Sequence, residues 1–313
     1  MSRGVFVLGM HRSGTSAATR LVNLLGIPTC IEEDLLPGTD DNPRGYWESG
    51  SLSAFNDRIL EAFESDWSCP PRLDPAWEAD LALAELRSEA GTLFSRVFPV
   101  EPWVWKDPRN CITLPFWLDC LEVETVVVLI HRNPLEIAAS LGARDDLGKV
   151  YCLALWERYL RLALAGISGL PTLVTDYAKL VSEPLAWCEL VRTFLHAQGV
   201  VTSAPPEGEA LAFVDERLRH TRFSAADLAA DRAVTEAQKA LFLALQDLRG
   251  SHESLSPPVL PDETPSTEAL LAERRRAHGL ERDLTRQYLE LEDYARRLGE
   301  RFILLAERSG SMA

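Results

Sequence analysis

Apolar residues at positions 4–250 follow two different periods, which alternate along the chain. Short, mostly apolar runs at 5–8, 104–106, 125–131 and 172–175 predict buried β-strands. Longer stretches, in which apolar residues recur every three or four positions, predict helices; they cover 16–25, 51–65, 76–98, 135–141, 150–166 and 182–198. Because helices separate the strands, the pattern predicts an α/β fold with a central parallel sheet flanked by helices.

The pattern changes after residue 250. Residues 251–268 are rich in Ser and Pro and have no period, which is typical of a linker. Beyond them, apolar residues recur at alternating spacings of four and three, like the a and d positions of about three heptads; they are Leu284, Tyr288, Leu291, Ala295, Leu298, Phe302 and Leu305. The stripe predicts either a helix at 269–308 that docks on its own chain or a short coiled coil that joins two chains into a homodimer.

Composition narrows the class of partner. The chain has 313 residues, 46% of them hydrophobic, and no apolar run approaches the roughly 20 residues of a membrane span. A net charge of −15 disfavours binding to nucleic acid and to anionic membrane surfaces. Six scattered cysteines without a CxxC pair indicate buried thiols in the cytoplasm. An anionic ligand would therefore need a local cluster of positively charged donors.

The sequence GMHRSGTS, residues 9–16, follows the first predicted strand and precedes the first predicted helix. Gly9 and Gly14 permit a tight turn, whose backbone N–H groups and following helix N-terminus favour an anion. In the nucleotide-triphosphatase pattern GxxxxGK[ST] a lysine follows the second glycine. Here Thr15 stands at that position and Arg12 supplies the cation. The loop also has three hydroxyl donors, Ser13, Thr15 and Ser16. This set suits a single 5′-phosphate with one further group better than a triphosphate.

The loop resembles the 5′-phosphosulfate loop of sulfotransferases that use 3′-phosphoadenosine 5′-phosphosulfate (PAPS). In that family a strand is followed by an Arg and, eight residues later, a Ser that bind the 3′-phosphate of the donor. Arg132 and Ser140 have this separation. YAKLVSEP, residues 177–184, is similar to the family's Tyr-Glu-Asp-Leu-x-x-Asp-Pro string, which implies that Tyr177 lies near the adenine. The family's Arg-Lys-Gly string is missing, and Arg219 in RLRHTR is the predicted substitute.

The resemblance covers roughly residues 4–230 and is closest to bacterial sulfotransferases. It implies a sulfotransferase catalytic domain at 1–250, with PAPS as co-substrate and no metal ion. Arg12 would neutralise the oxygen that leaves with the phosphate, while Ser13, Gly14, Thr15 and Ser16 bind phosphate and sulfuryl oxygens. By analogy with phosphoryl transfer, positioning and charge stabilisation do most of the catalysis.

Lys106 lies in WVWKDPR at the end of the second predicted strand, the edge where open α/β sheets bind ligands. We expect Lys106 to contact the transferring sulfuryl group or the acceptor, with Asp107 orienting it. The alternative is an internal ion pair of Asp107 with Arg109 around the proline turn.

The general base is predicted to be Glu48, in NPRGYWES at 42–49. The alternative for Glu48 is an exposed glutamate ahead of the next helix, which Ser49 or Ser51 could cap. Glu33 is a rival base, because it lies as far past Arg12 as the catalytic carboxylate does in tyrosylprotein sulfotransferases. Trp47 is predicted near an acceptor sugar. Four other tryptophans are predicted core residues: Trp103, Trp105, Trp117 and Trp156.

Two other functions remain open at this point: a small-molecule kinase that uses ATP with Mg²⁺, and a non-catalytic scaffold that acts through its C-terminal helix. Neither needs a binding pair for a 3′-phosphate, so Arg132 and Ser140 argue against both. The acceptor is expected to be a small molecule or glycan, with the tryptophans favouring a carbohydrate or a glycosylated metabolite.

Overall fold

The computed structural model of the chain describes residues 2–39, 42–214 and 221–310. Within them, one sheet contains the strands β1 (Ser2–Leu8), β2 (Trp103–Lys106), β3 (Val123–His131), β4 (Thr172–Asp176) and β5 (Gly250–His252). The strand order is β2-β1-β3-β4-β5. The first four strands are parallel, and β5 pairs antiparallel to β4 at one edge. The predicted α/β fold with a central, mostly parallel sheet is confirmed.

Helices connect and flank the strands. Their bounds are α1 (Thr15–Leu24), α2 (Gly50–Glu61), α3 (Ala84–Val97), α4 (Asn110–Cys120), α5 (Pro134–Asp145), α6 (Lys149–Gly166), α7 (Tyr177–Ser182), α8 (Pro184–Ala197), α9 (Glu207–Phe213), α10 (Ala225–Ala230), α11 (Glu236–Asp247) and α12 (Pro265–Gly310). Sequence periodicity did not predict α4, α7, α9, α10, α11 or the short strand β5.

Two predicted helices are interrupted. The segment 76–98 forms two 3₁₀ turns before α3, because the Asp80 side chain accepts a hydrogen bond from the Ala82 backbone N–H at 2.9 Å. Such local bonds compete with continuous helix. The segment 182–198 is divided at Glu183, which precedes Pro184, the first residue of α8. A residue before proline is sterically disfavoured in the helical region.

The sheet is covered on both faces, as parallel sheets require. Along β1, Phe6 and Leu8 pack into the core on one face, whereas Val5 and Val7 pack into the core on the other. Four tryptophans predicted as core residues are buried on the first of these faces: Trp103, Trp105, Trp117 and Trp156. Their prediction as core is confirmed. None of the helices in the described ranges is both long and apolar enough to cross a membrane.

The first turns of α12 pack against α6. Thr267 and Leu271 are buried, and Thr267 Oγ1 donates a hydrogen bond to Glu157 Oε2 at 3.0 Å. Farther along α12 the apolar stripe is open to solvent, with Leu284 and Leu291 each 66% exposed. The segment predicted as a linker begins in β5 and ends inside α12. The division of the chain at residues 250 and 268 stays a prediction.

Candidate active site

A cavity of about 810 Å³ opens at the carboxyl ends of the parallel strands. Loop 9–14 after β1, Lys106 at the end of β2 and Arg132 after β3 contribute to its wall. This is the edge of an open α/β sheet where ligands bind. Six lysines and arginines line it among the described residues, Arg12, Arg44, Lys106, Arg109, Arg132 and Arg144, but only one carboxylate, Glu48. An acidic chain therefore concentrates positive charge at this cavity.

The loop after β1 turns tightly into α1. Gly14 is the N-cap residue and has a left-handed φ of 93°. A Cβ atom built there would lie 2.2 Å from Cδ2 of Tyr177. Ser13 closes the turn, since its Oγ donates a hydrogen bond to the Met10 carbonyl at 2.6 Å. Only glycine combines this backbone conformation with the close approach of Tyr177.

Arg132 and Ser140 both contact this loop. The Arg12 Nε donates to Ser140 Oγ at 2.8 Å, and the Arg132 Nη1 donates to the Arg12 carbonyl at 3.0 Å. The Arg132 guanidinium lies 4.5 Å from the ring centroid of Tyr177. These contacts form because β1 and β3 are neighbours, so the segments after both strands emerge side by side. Residues predicted for opposite ends of one nucleotide thus line one wall of the cavity.

A residue that the sequence did not reveal orients Arg132. Glu136, which is fully buried on α5, accepts a hydrogen bond from Arg132 Nε at 2.7 Å. The second Glu136 oxygen accepts from the Phe223 backbone N–H at 3.2 Å. The only signal in the sequence is the Arg–Glu spacing of four residues, which is common on helix surfaces.

Glu48 and Lys106 form a buried ion pair beside the loop. Their contact brings the Lys106 Nζ to Glu48 Oε1, and the same Nζ lies 3.0 Å from the Tyr46 carbonyl and 3.2 Å from Ser16 Oγ. Burial raises the pKa of Glu48 above its ordinary value, and the charge of Lys106 opposes this rise without cancelling it. Glu48 is therefore not the exposed glutamate of the alternative prediction, although Ser49 does cap α2, where its Oγ accepts a hydrogen bond from the Leu52 backbone N–H at 3.0 Å.

Asp107 and Arg109 form the internal ion pair of the alternative prediction. Asp107 is fully buried and accepts hydrogen bonds from the Arg109 backbone N–H at 2.8 Å and from Asn56 Nδ2 at 3.0 Å. Burial disfavours the Asp107 carboxylate, but Arg109 and these hydrogen bonds outweigh that effect and lower the pKa of Asp107. Arg109 Nε also donates to Asp57 at 2.6 Å. Asp107 thus supports the loop after β2 and does not orient Lys106 by contact.

Several predicted residues lie away from the cavity. Glu33 is exposed on the 3₁₀ turn Glu32–Asp34 and does not line the cavity. Trp47 is also absent from the lining: its Nε1 donates to the Arg44 carbonyl at 2.9 Å, and its ring packs against Phe213. Because Tyr46, Glu48 and Phe213 beside it do line the cavity, the expectation that Trp47 lies near an acceptor stays a prediction. Arg219 lies outside the described residues.

Other cavity residues were given no individual role by the sequence interpretation. His11, Trp67, Arg144 and Tyr46 all line the cavity. His11 follows from its position in the loop, but Trp67 lies in an irregular segment without any motif. The position of Trp67 depends on tertiary packing, because its ring lies 4.8 Å from that of His11.

Comparisons with known proteins yield structural matches. No protein-family model and no curated protein matches the sequence. A sulfotransferase domain from the curacin biosynthetic pathway is 15% identical, with 87% of this chain and 97% of that domain covered and a TM-score of 0.38. A sulfotransferase from Mycobacterium tuberculosis H37Rv is 16% identical over 74% of each chain, with a TM-score of 0.40. The sulfotransferase domain of the Synechococcus PCC 7002 olefin synthase is 17% identical, with coverages of 87% and 94% and a TM-score of 0.35.

Proposed function

We propose that this protein is a sulfotransferase that transfers a sulfuryl group from PAPS to an acceptor hydroxyl. The contact of Arg12 with Ser140, together with that of Arg132 with the Arg12 carbonyl, carries the proposal. Through these contacts a hydroxyl-rich anion loop and an Arg–Ser pair share one cavity wall, as the 5′ and 3′ ends of a single nucleotide require. The tight turn at Gly14 and the excess of cations in the cavity lining also suit an anionic nucleotide such as PAPS.

PAPS supplies an activated sulfuryl group, which the acceptor oxygen attacks while the bond from sulfur to the bridging oxygen breaks. The loop amides and the hydroxyls of Thr15 and Ser16 bind the phosphate and sulfuryl oxygens in this proposal. The hydroxyl of Ser13, a predicted donor, instead donates to the Met10 carbonyl and shapes the loop. Arg12 neutralises the charge that develops on the leaving oxygen. Arg132 and Ser140 bind the 3′-phosphate, and Tyr177 lies near the adenine. Preorganised donors act strongly on such charges, because they need no reorganisation as the reaction proceeds.

Glu48 is the proposed base, which accepts the proton of the acceptor hydroxyl. Its raised pKa makes it a better proton acceptor than an ordinary carboxylate at neutral pH. Lys106 contacts Glu48 and Ser16, so it lies between the proposed base and the donor loop. We assign it to the transferring sulfuryl group.

The remaining assignments concern the cellular compartment, the acceptor and the rival kinase function. All six cysteines are free thiols, which suits a reducing cytoplasm. The acceptor is proposed to be a carbohydrate or a glycosylated metabolite. An ATP–Mg²⁺ kinase is less well supported, because both Asp107 oxygens at the end of β2 already accept hydrogen bonds from Arg109 or Asn56.

Calorimetry with adenosine 3′,5′-bisphosphate and with ATP–Mg²⁺ tests the donor. We expect micromolar affinity for the bisphosphate without metal, weakened about 10- to 100-fold in the double variant R132M/E136Q. The double variant removes both charges of the buried pair, so no carboxylate is left unpaired. The control R192M removes an exposed arginine that pairs with Glu189 and should leave the affinity unchanged. Equal or tighter binding of ATP–Mg²⁺ would contradict the proposed donor.

A further inference from the structure

We propose that Arg144, beside Trp67, forms an acceptor subsite for a negatively charged group, so that the acceptor is a ring compound carrying a carboxylate. The proposal rests on the proposed function, since it identifies the class of acceptor for the same cavity. It extends that function from an unspecified hydroxyl compound to an anionic one such as a uronic acid.

Arg144 points into the cavity from the same helix as Ser140. The two residues are four positions apart on α5 and therefore lie on one face, one turn apart. The Arg144 guanidinium lies 5.5 Å from the ring centroid of Trp67, and its side chain is 23% exposed. Nε donates to Asp145 at 2.8 Å, whereas the structure shows no hydrogen bond from the terminal nitrogens to any described residue. These nitrogens can form a bidentate contact with a carboxylate.

Two other cations of the lining, Arg109 and Lys106, already form ion pairs with carboxylates. Arg109 is bound by Asp57 and Asp107, and Lys106 is bound by Glu48, the one carboxylate among the described lining residues. Arg144 itself pairs through Nε with Asp145, which lies outside the lining, and no described acidic residue of the lining other than Glu48 opposes an anion at its terminal nitrogens.

Positive charge is concentrated at this end of the cavity. His11, whose ring lies 4.8 Å from that of Trp67, is near four of the lining cations. Burial, followed by the charges of Arg109, Arg144, Lys106 and Arg12, lowers the pKa of His11 well below its ordinary value. A neutral imidazole adds no charge of its own, and both His11 and Trp67 line the cavity. The subsite therefore combines the Trp67 ring with a guanidinium that can donate hydrogen bonds to an anionic substituent.

A matched pair of compounds tests the proposal. 4-Nitrophenyl β-D-glucuronide and 4-nitrophenyl β-D-glucoside differ only by a carboxylate or a hydroxymethyl group on the sugar. Their binding is measured by calorimetry on the full chain, with and without saturating adenosine 3′,5′-bisphosphate. We expect the glucuronide to bind about tenfold more tightly than the glucoside. R144M should remove this preference, R144K should retain part of it, and the surface control R192M should keep all of it.

Equal binding of the two sugars, or no binding of either, would overturn the proposal, as would a preference that survives in R144M. Affinity for the bisphosphate should be the same in all variants. Loss of bisphosphate binding by the wild-type protein would instead contradict the proposed function, while the titrations without nucleotide would still report the carboxylate preference. The two failures are therefore distinguishable.

Discussion

Glu48 is the residue whose chemistry depends most on its surroundings. Burial raises its pKa, and the adjacent Lys106 limits that rise. Truncating one member of such a buried pair is costly, because the other charge stays buried without a partner. Glu48 therefore has to be replaced by a side chain of the same shape that still accepts a hydrogen bond from Lys106. Such a variant tests proton transfer separately from the structural role of Glu48.

Glu48→Gln is such a change. We expect kcat to fall about 10²- to 10⁴-fold, as for loss of a general base. The free energy of unfolding should fall by about 1–3 kcal/mol, because Lys106 keeps an amide oxygen as partner but loses the opposite charge. Sulfate transfer with a labelled donor and chemical denaturation measure the two effects.

The pH dependence of kcat/KM provides a second test of Glu48. Protonated Glu48 cannot accept a proton, so the wild-type rate should fall as the pH drops through its raised pKa, above the ordinary value of 4.5. E48Q should lack this acid limb. The control is Glu33→Gln, an exposed carboxylate whose removal should leave rate and profile unchanged. Loss of activity and of the acid limb in Glu33→Gln, with both retained in E48Q, would identify Glu33 as the base.

Among the secondary-structure elements, the junction of β1 and α1 determines the shape of loop 9–14. Its backbone turns through a left-handed Gly14, against which the Tyr177 ring packs from the start of α7. The following helix N-terminus directs its free N–H groups to the cavity. The loop thus depends on an element more than 160 positions away in the chain.

Gly14→Ala should disturb this junction. The left-handed conformation costs a non-glycine residue about 1–2 kcal/mol, and the new methyl group would collide with Tyr177. We expect affinity for adenosine 3′,5′-bisphosphate to fall at least about tenfold, measured by calorimetry. Gly91→Ala in α3 is the matched control: nothing lies within 4 Å of its Cβ, so it should stabilise the protein by about 0.5–1 kcal/mol with unchanged affinity. Unchanged affinity in G14A would contradict the proposed role of the loop.

At the scale of the whole molecule, α12 shows one of the two arrangements that the sequence left open, the docking on its own chain. Its first turns dock on α6, while Leu284 and Leu291 remain exposed farther along. Acidic residues outnumber basic ones in 281–293, and the reverse holds in 296–308. Two copies paired antiparallel through the stripe would therefore cover apolar side chains and place opposite charges together.

We accordingly predict a homodimer joined by the exposed part of α12. Light scattering after gel filtration should give about twice the 34.9 kDa of one chain. The variant L284E/L291E should shift the protein to the mass of one chain, with the melting temperature of the domain little changed. Arg286→Ala, on the same helix but outside the stripe, should stay dimeric. A wild-type protein with the mass of a single chain would refute the dimer.

The sequence by itself determined the four parallel strands, seven of the twelve described α-helices, the tight loop after β1 and the Arg132–Ser140 spacing, because these depend on local period, glycine placement and short separations. It could not decide between Glu48 and Glu33, nor between the two interpretations of Asp107, since burial and charge pairing arise from segments far apart in the chain. Tertiary structure alone placed Trp67 and Arg144 in the cavity and Trp47 outside it. A side chain's neighbours across the fold leave no periodic trace in the sequence, so only packing decided which residues share the site.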